Sequence, residues 1–477
     1  MGIFGSNKDR LLELIRSGSE MTLRQQFRLT VLLSIPAIMA QMSNIIMEYI
    51  DAAMVGSLGA HATASIGLVA TSTWLLWGIC ASASTGFAVQ VAHLTGAGDN
   101  CGARDVVRQS LTAAGLFGLA VAAAGTAVSS RLPVWLGGEE EIVADAAIYF
   151  RIFVLSLPVL QLLSLSGAML RCSGNILVPS VTNVAMCVLD VLFNFFLILP
   201  SRTVTLAGAE FQVWGAGLGV KGAAIGTAAA SAIGAAAMLW YMYCRSRELR
   251  LAGTHGSFRP RRQTLAKALK IAAPIGVERL LFCGAYITVT VIVAPLGAVA
   301  IAAHSLAVTA ESLCYMPGYG IGDAATTAVG QSIGAGRPAL ARRFSRMTVW
   351  TGVGVMTFMG AVMYFAAPLM MGLITPVEAI RAAGVEILRI EAFAEPMFAA
   401  SIVAYGVFVG AGDTLIPCCM NLGSMWAVRL TLAAALAPAL GLKGVWIAMC
   451  VELCFRGVIF LWRLYGGRWI KIPDNKR

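Results

Sequence analysis

The chain carries one pattern twice. Pro36, Gly59, Gly96, Gly98 and Arg104 recur as Pro274, Gly297, Gly334, Gly336 and Arg342, each 238 positions later. The same offset joins Arg151 to Arg389, Pro158 to Pro396, Gly174 to Gly412, Pro179 to Pro417 and Asn183 to Asn421. It then shortens to 222, where GVKGAAIG at 219–226 answers GLKGVWIA at 441–448. The first half therefore holds 16 extra residues, most simply within SRTVTLAGAEFQVWGAG. One such pair arises by chance, but a series at a single offset does not. A long chain that nearly halves in this way must fold as two similar lobes, the pattern of a secondary transporter.

Composition decides where those lobes sit. Hydrophobic residues make up 58% of the chain and charged residues 12%, about half the charge of an ordinary soluble domain. Apolar stretches long enough to cross a bilayer recur throughout. They predict spans near 29–56, 66–90, 106–130, 145–166, 176–200 and 220–244, repeated near 268–294, 302–326, 346–371, 382–406, 414–438 and 443–464. The expected fold is an all-α integral membrane protein with about twelve transmembrane helices in two pseudo-symmetric six-helix lobes. It divides into a basic N-terminal segment (1–28), a first lobe (29–244), a linker (245–267), a second lobe (268–464) and a tail (465–477). Runs such as GLFGLAVAAAG and GTAAASAIGAAA supply the small residues that let membrane helices approach closely.

The net charge of +11 is not spread as a nucleic-acid surface would be. Arginines and lysines gather before the first span, in the linker, after the eighth span and at the C-terminus. Alternate loops lack them, as in SLGAHATAS, or are acidic, as in GGEEEIVAD. This is the positive-inside pattern. It predicts a multi-pass protein of the cell (inner) membrane with both termini in the cytoplasm. Partners are then the lipid bilayer and small amphiphilic molecules, with no nucleic acid. The 11 cysteines show no CxxC and no metal spacing, so disulfides and zinc are not expected. No GxxxxGK[ST], HExxH or GxSxG sequence occurs, so neither ATP use nor hydrolytic chemistry is indicated. The expectation is a secondary active transporter, not an enzyme, with no cofactor and with H+ or Na+ as its energy source.

Charges inside the bilayer are costly, so each is a functional candidate. The first span contains Pro36, Glu48 and Asp51, and the two acids, three apart, share a helix face. Close acids resist double ionisation, which suits a site for a proton or Na+. The fifth span carries Asn183, Asp190 and Asn194; Asp190 and Asn194 stack one turn apart. Oxygen-bearing side chains of this kind form half of a hard-cation site, and Thr227 on the sixth span adds a hydroxyl. The second half has its own acids, including Glu278, Glu311, Glu391 and Glu395 as secondary candidates. Arg279, Arg389 and Arg429 are the expected ion-pair partners for several of them, which favours a structural role. His61, His93 and His255 fall in loops or at helix ends, where solvated side chains are expected.

Three segments together resemble the multidrug and toxic compound extrusion (MATE) family: P-x14-D-x3-VG-x-LG at 36–59, GQSIGAGRPALAR at 330–342 and GAGDTLIP at 410–417. The likeness runs from about Leu29 to Trp469. It implies two six-helix lobes around a cleft that opens alternately to either side, with drug export coupled to protons or sodium. In one branch the coupling site is formed by an Asp on the first helix, an Asn and an Asp on the fifth and a Thr on the sixth. Asp51 and Thr227 match that pattern, whereas the fifth helix reads Asp190 then Asn194, the reverse of the family's order. The implied coupling set, able to hold Na+ or a proton, is Asp51, Asp190, Asn194 and Thr227, with Pro36 letting the first helix bend. Another branch uses acids on the seventh and tenth helices, and Glu391 and Glu395 lie on the latter. A flippase for a lipid-linked precursor is the alternative. Because the repeat is internal, one chain is expected to act as a complete transporter.

Overall fold

The computed structural model describes residues 2–206 and 209–470; the end of the tail, 471–477, lies outside the described residues. The first lobe contains α2 (Leu23–Gly56), α3 (Ala60–Gly96), α4 (Asn100–Val128), a short α5 (Leu132–Trp135), α6 (Glu140–Cys172), α7 (Leu177–Leu197) and α8 (Val220–Cys244), preceded by α1 (Gly2–Arg16). The second contains α9 (Arg262–Val293), α10 (Ala298–Gly334), α11 (Pro338–Ile374), α12 (Glu378–Ala392), α13 (Glu395–Gly410), α14 (Leu415–Gly423), α15 (Thr431–Leu440) and α16 (Leu442–Gly466). Among the described residues, eleven helical spans are long and apolar enough to cross a membrane, and α12 with α13 makes a twelfth. Large apolar side chains such as Trp74, Leu373 and Trp462 cover the outer surface, as a lipid-facing belt requires.

The repeat is visible where helices stop. Gly98 and Gly336 follow α3 and α10 with φ of 76° and 69°, a left-handed turn that a side chain would strain. Positive φ recurs at the matched pairs Gly59/Gly297, Gly174/Gly412 and Gly219/Gly441. The 16 extra residues of the first half form a hairpin of β1 (Pro200–Leu206) and β2 (Ala209–Ala216), paired antiparallel. The fold is therefore almost, not wholly, helical.

Several boundaries differ from expectation for identifiable reasons. The first span begins at Leu23 because Thr22 caps it: its hydroxyl accepts the Gln25 N–H (3.3 Å) and the Gln25 side chain accepts the Thr22 N–H (2.9 Å). The linker is shorter than predicted, since α9 already starts at Arg262. The tenth span is bent by 61° between α12 and α13, just before Pro396, which has no N–H to continue the ladder. The matched Pro158 lies within an unbroken α6, so proline alone does not break the span. The eleventh span loosens into a π-helical turn over Ser424–Leu430.

Each lobe lends its first helix to the other: α2 packs on α10 and α9 on α3. At the end of the bundle where α3 and α10 finish, beside Arg104 and Arg337, the lobes meet backbone to backbone. A Cβ on Gly96 would lie 2.1 Å from the Gln331 carbonyl oxygen, and one on Gly334 2.0 Å from that of His93. The His93 ring nitrogen Nε2 pairs with the Gly410 carbonyl (2.9 Å), and Gln331 donates to the Cys172 carbonyl (2.9 Å). All four contacts obey the 238-residue offset, so a pseudo-twofold axis passes through this seam. His93 is thus half-buried between lobes, not solvated as expected, because the end of α3 faces a neighbour that the sequence of one helix does not reveal. His61 and His255 are exposed.

Candidate functional site: a shared amide between two carboxyls

Helix α7 lies between α2 and α8, so residues from three helices converge in the first lobe. Gly226 permits this: a Cβ there would sit 2.1 Å from the Asn194 side-chain oxygen. Asp190 and Asn194 are 1% and 0% exposed, while Asp51 is half-buried. The Asn194 amide donates one hydrogen to Asp51 Oδ1 (2.8 Å) and the other to Asp190 Oδ2 (3.2 Å). A single NH2 group thereby bridges two carboxyls from different helices. Thr227 of α8 lies alongside Asp190, completing the predicted set.

Two oxygens of this cluster, Asp190 Oδ1 and Asn194 Oδ1, are buried without a hydrogen-bond partner. Unpaired buried acceptors are costly, and a proton or a small hard cation would satisfy them. Oxygens from two carboxyls, an amide and a hydroxyl are the donor set such cations prefer. The exchanged order of Asp190 and Asn194 leaves this set intact, because both side chains stay on the α7 face that meets α2 and α8.

The other candidates separate. Glu48 is exposed, near Asp51 but outside the hydrogen-bonded cluster. Asn183 is half-buried, about two turns before Asp190 on α7. Pro36 lies within α2, two residues from Ile38, whose backbone touches Gly320 so closely that a Cβ there would lie 2.7 Å from its nitrogen. The Tyr149 ring of α6 lies near both Asp51 and Asp190. Sequence reasoning missed it, since a tyrosine in an apolar span carries no distinguishing pattern.

In the second lobe Glu278 accepts from Tyr405 Oη (2.6 Å) and Asn421 Nδ2 (2.7 Å), a satisfied packing network. Glu311, Glu391 and Glu395 are buried, and neither carboxyl of Glu391 or Glu395 has a hydrogen-bond partner. Among the described residues no ion pair joins Arg389 or Arg429 to these acids, although Arg429 lies near Glu311 and Glu391 and Arg279 lies near Glu278. Arg389 donates to the Tyr364 carbonyl (3.3 Å) and lies over its ring, and Arg429 reaches Met425 Sδ (3.5 Å). A buried ion pair forms instead between Glu452 and Arg456 (2.6 Å), one turn apart on α16. Asp413, from the GAGDTLIP segment, pairs with Arg463.

The two halves do not share a site. At the 238-residue offset Asp51, Asp190 and Asn194 correspond to Val289, Val428 and Leu432, and Glu278, Glu311, Glu391 and Glu395 to Ala40, Thr73, Phe153 and Leu157. A symmetric frame carries asymmetric chemistry.

Comparison with known proteins agrees with this architecture. The profile of the MatE family matches residues 36–196 and 274–434, once in each lobe. A probable multidrug resistance protein NorM of Thermotoga maritima is 25% identical over 447 residues, covering 92% of each chain. The multidrug resistance protein PmpM of Pseudomonas aeruginosa is 21% identical over 93% of this chain and 92% of its own. Among solved structures, a MATE in complex with MaL6 superposes with a TM-score of 0.85 at 18% identity, over 96% of this chain and 99% of the other. A MOP superfamily transporter from Pyrococcus furiosus gives 0.84 at 18% identity, over 96% and 98%. With its repeated fold matched in both halves, this chain belongs to the MATE family and is a multi-pass secondary transporter, not an enzyme.

Proposed function

We propose that the protein is an H+- or Na+-coupled antiporter that exports amphiphilic, often cationic compounds by alternating access of its two lobes. The observation that carries this is the Asn194 amide held between Asp51 and Asp190, with buried oxygens beside it unpaired. A proton or Na+ arriving from outside neutralises Asp51, with Asp190, Asn194 and Thr227 completing its shell. That removes the negative charge that favours a cationic cargo, and α2 bends near Pro36, where the missing N–H weakens the helix. Cargo leaves outward and the lobes rock inward with the ion bound. Mutually exclusive occupancy makes the exchange obligatory.

The relatives named as multidrug resistance proteins support small-molecule cargo, and the positive-inside pattern supports an inner-membrane orientation with the basic end of the bundle in the cytoplasm. One chain contains both lobes and acts as a monomer. Glu48, Glu311, Glu391 and Glu395 remain secondary coupling candidates. A flippase would require a cationic cleft for a pyrophosphate, whereas the side chains that converge here are carboxyls.

The test is efflux of a fluorescent cationic dye from reconstituted vesicles under an imposed H+ or Na+ gradient. One gradient should drive efflux, and Asp51→Asn should abolish it while the purified protein stays monodisperse. Normal coupled efflux by that variant refutes the scheme.

A further inference from the structure

Helix α1 was not anticipated by the span pattern, and its contacts are not those of a loose tail. Leu11, Leu12 and Ile15 are buried in a cluster with Leu29 and Leu33 of α2, Ile176 before α7, and Ile333, Phe344 and Trp469 of the second lobe. The Leu12 tip fills the place that a side chain on Gly174 would need, 2.4 Å from the Cβ position. Arg337, at the end of α10, donates to the Leu14 carbonyl (2.9 Å) and so satisfies the C-terminal end of α1.

Arg16 ties these surfaces together. Its Nη1 pairs with Glu248 of the linker (3.0 Å). Its Nη2 donates to the Ser173 carbonyl (3.0 Å), in the loop between α6 and α7, and to Gln331 Oε1 of α10 (3.5 Å). Gln331 is the residue that reaches across the seam to Cys172 (2.9 Å). One guanidinium therefore touches the first lobe, the linker and the second lobe at their closest approach. Separating the lobes here breaks its contacts to one side or the other, and the loop it holds leads directly into the helix that carries Asp190 and Asn194.

We infer that α1 is a strap that locks the basic end of the bundle shut, with Arg16 as its clamp, and that inward opening requires its release. In the transporter this makes the N-terminal helix a control element on alternating access. The inference rests on the antiport reading only for its consequence, not for its geometry.

The experiment measures distance, not transport. Native Cys101 and Ala339→Cys occupy matched, exposed positions at the starts of α4 and α11, and spin labels there, in a full-length chain without its other cysteines, report the seam by pulsed electron resonance in nanodiscs. Hydrogen bonds to charged groups are worth enough that Arg16→Ala should raise the open-seam population by about tenfold or more. Glu248→Ala, at a site outside the spans, should shift it in the same direction, and Arg16→Lys should fall between Ala and the parent. Arg10→Ala, exposed on the same helix, should leave the distribution unchanged. Monodispersity on gel filtration excludes unfolding as the cause. Identical distributions for Arg16→Ala, Glu248→Ala and the parent overturn the strap. Because the readout needs no ion and no dye, that outcome leaves the antiport reading untouched, while failed coupling with an intact strap response sinks the antiport reading alone.

Discussion

Substituting Gly96 or Gly334 by alanine tests whether the seam is a single closing surface. The new Cβ would lie 2.1 Å from the Gln331 oxygen in one case and 2.0 Å from the His93 oxygen in the other, where ordinary contact begins at 3.4 Å. Both obstacles are backbone atoms, which cannot rotate away. The lobes must part by about 1.3 Å, which stretches the 2.9 Å bonds of His93 and Gln331 beyond hydrogen-bonding distance. Overpacking of this kind costs about 1–3 kcal/mol, and each lost bond adds about 0.5–1.5 kcal/mol. The closed seam therefore loses at least ~2 kcal/mol relative to any conformer in which the lobes are apart, a shift of roughly thirtyfold in population. The same parting relieves both clashes, so Gly96→Ala/Gly334→Ala should cost about as much as either single change instead of their sum. Distances between labels at Cys101 and Ala339→Cys provide the assay, with Gly115→Ala as control, since nothing lies within 4 Å of its Cβ position. An unchanged closed population in the single variants, or fully additive costs in the double, refutes the reasoning.

Other perturbations separate the chemistry from the scaffold. Asn194→Leu removes the donor shared by Asp51 and Asp190, so coupled dye efflux should fall at least about tenfold if that bridge is worth a charged hydrogen bond, with protein yield retained; full activity would show the amide to be dispensable. Glu278→Leu leaves Tyr405 and Asn421 without their acceptor and should cost about 2–4 kcal/mol of stability, seen as a lower melting temperature in detergent with unchanged ion preference. Glu452→Ala strands a buried arginine, a loss of about 3–5 kcal/mol, whereas Glu452→Gln/Arg456→Met should recover most of the thermal stability. Replacing the β1–β2 hairpin by a short turn, as the second half already does at Gly441, should leave efflux within about twofold if the hairpin contributes only a surface addition to the repeat.

The sequence made the lobes readable because bilayer crossing and glycine-terminated turns both leave marks at fixed spacing. Asp190 and Asn194 were legible for the same reason, being one turn apart on the stretch of the helix after Asn183, whose other residues are apolar or cysteine. What stayed hidden depends on faces that meet across the chain. His93 looked like a helix-end residue, and only the partner lobe gives it the Gly410 carbonyl. Arg456 is four residues from Glu452, a spacing that suggests the pair, yet in the sequence Arg279, Arg389 and Arg429 are equally plausible partners. Tyr149 carries no local signal, being a single tyrosine in an apolar run, whereas Leu11, Leu12 and Ile15 recur at helical spacing among charged residues, a pattern that marks a helix face but not what covers it.

The confinement of Asp51 and Asp190 to one lobe limits the work the proposed exchange can do. Two carboxyls carry at most two coupling charges inward per cycle, and each charge falling through 100 mV releases about 2.3 kcal/mol. A singly charged cargo leaving against the same field consumes one of those two. What remains of the electrical work, about 2.3 kcal/mol, supports a cargo gradient of roughly fiftyfold for every 100 mV, with any concentration gradient of the coupling ion adding to it. A neutral cargo would keep both charges and could be driven to about the square of that ratio. Because Val289 and Val428 occupy the matching positions, the second copy of the fold adds leverage to the motion without adding a third or fourth charge from these positions to the stroke.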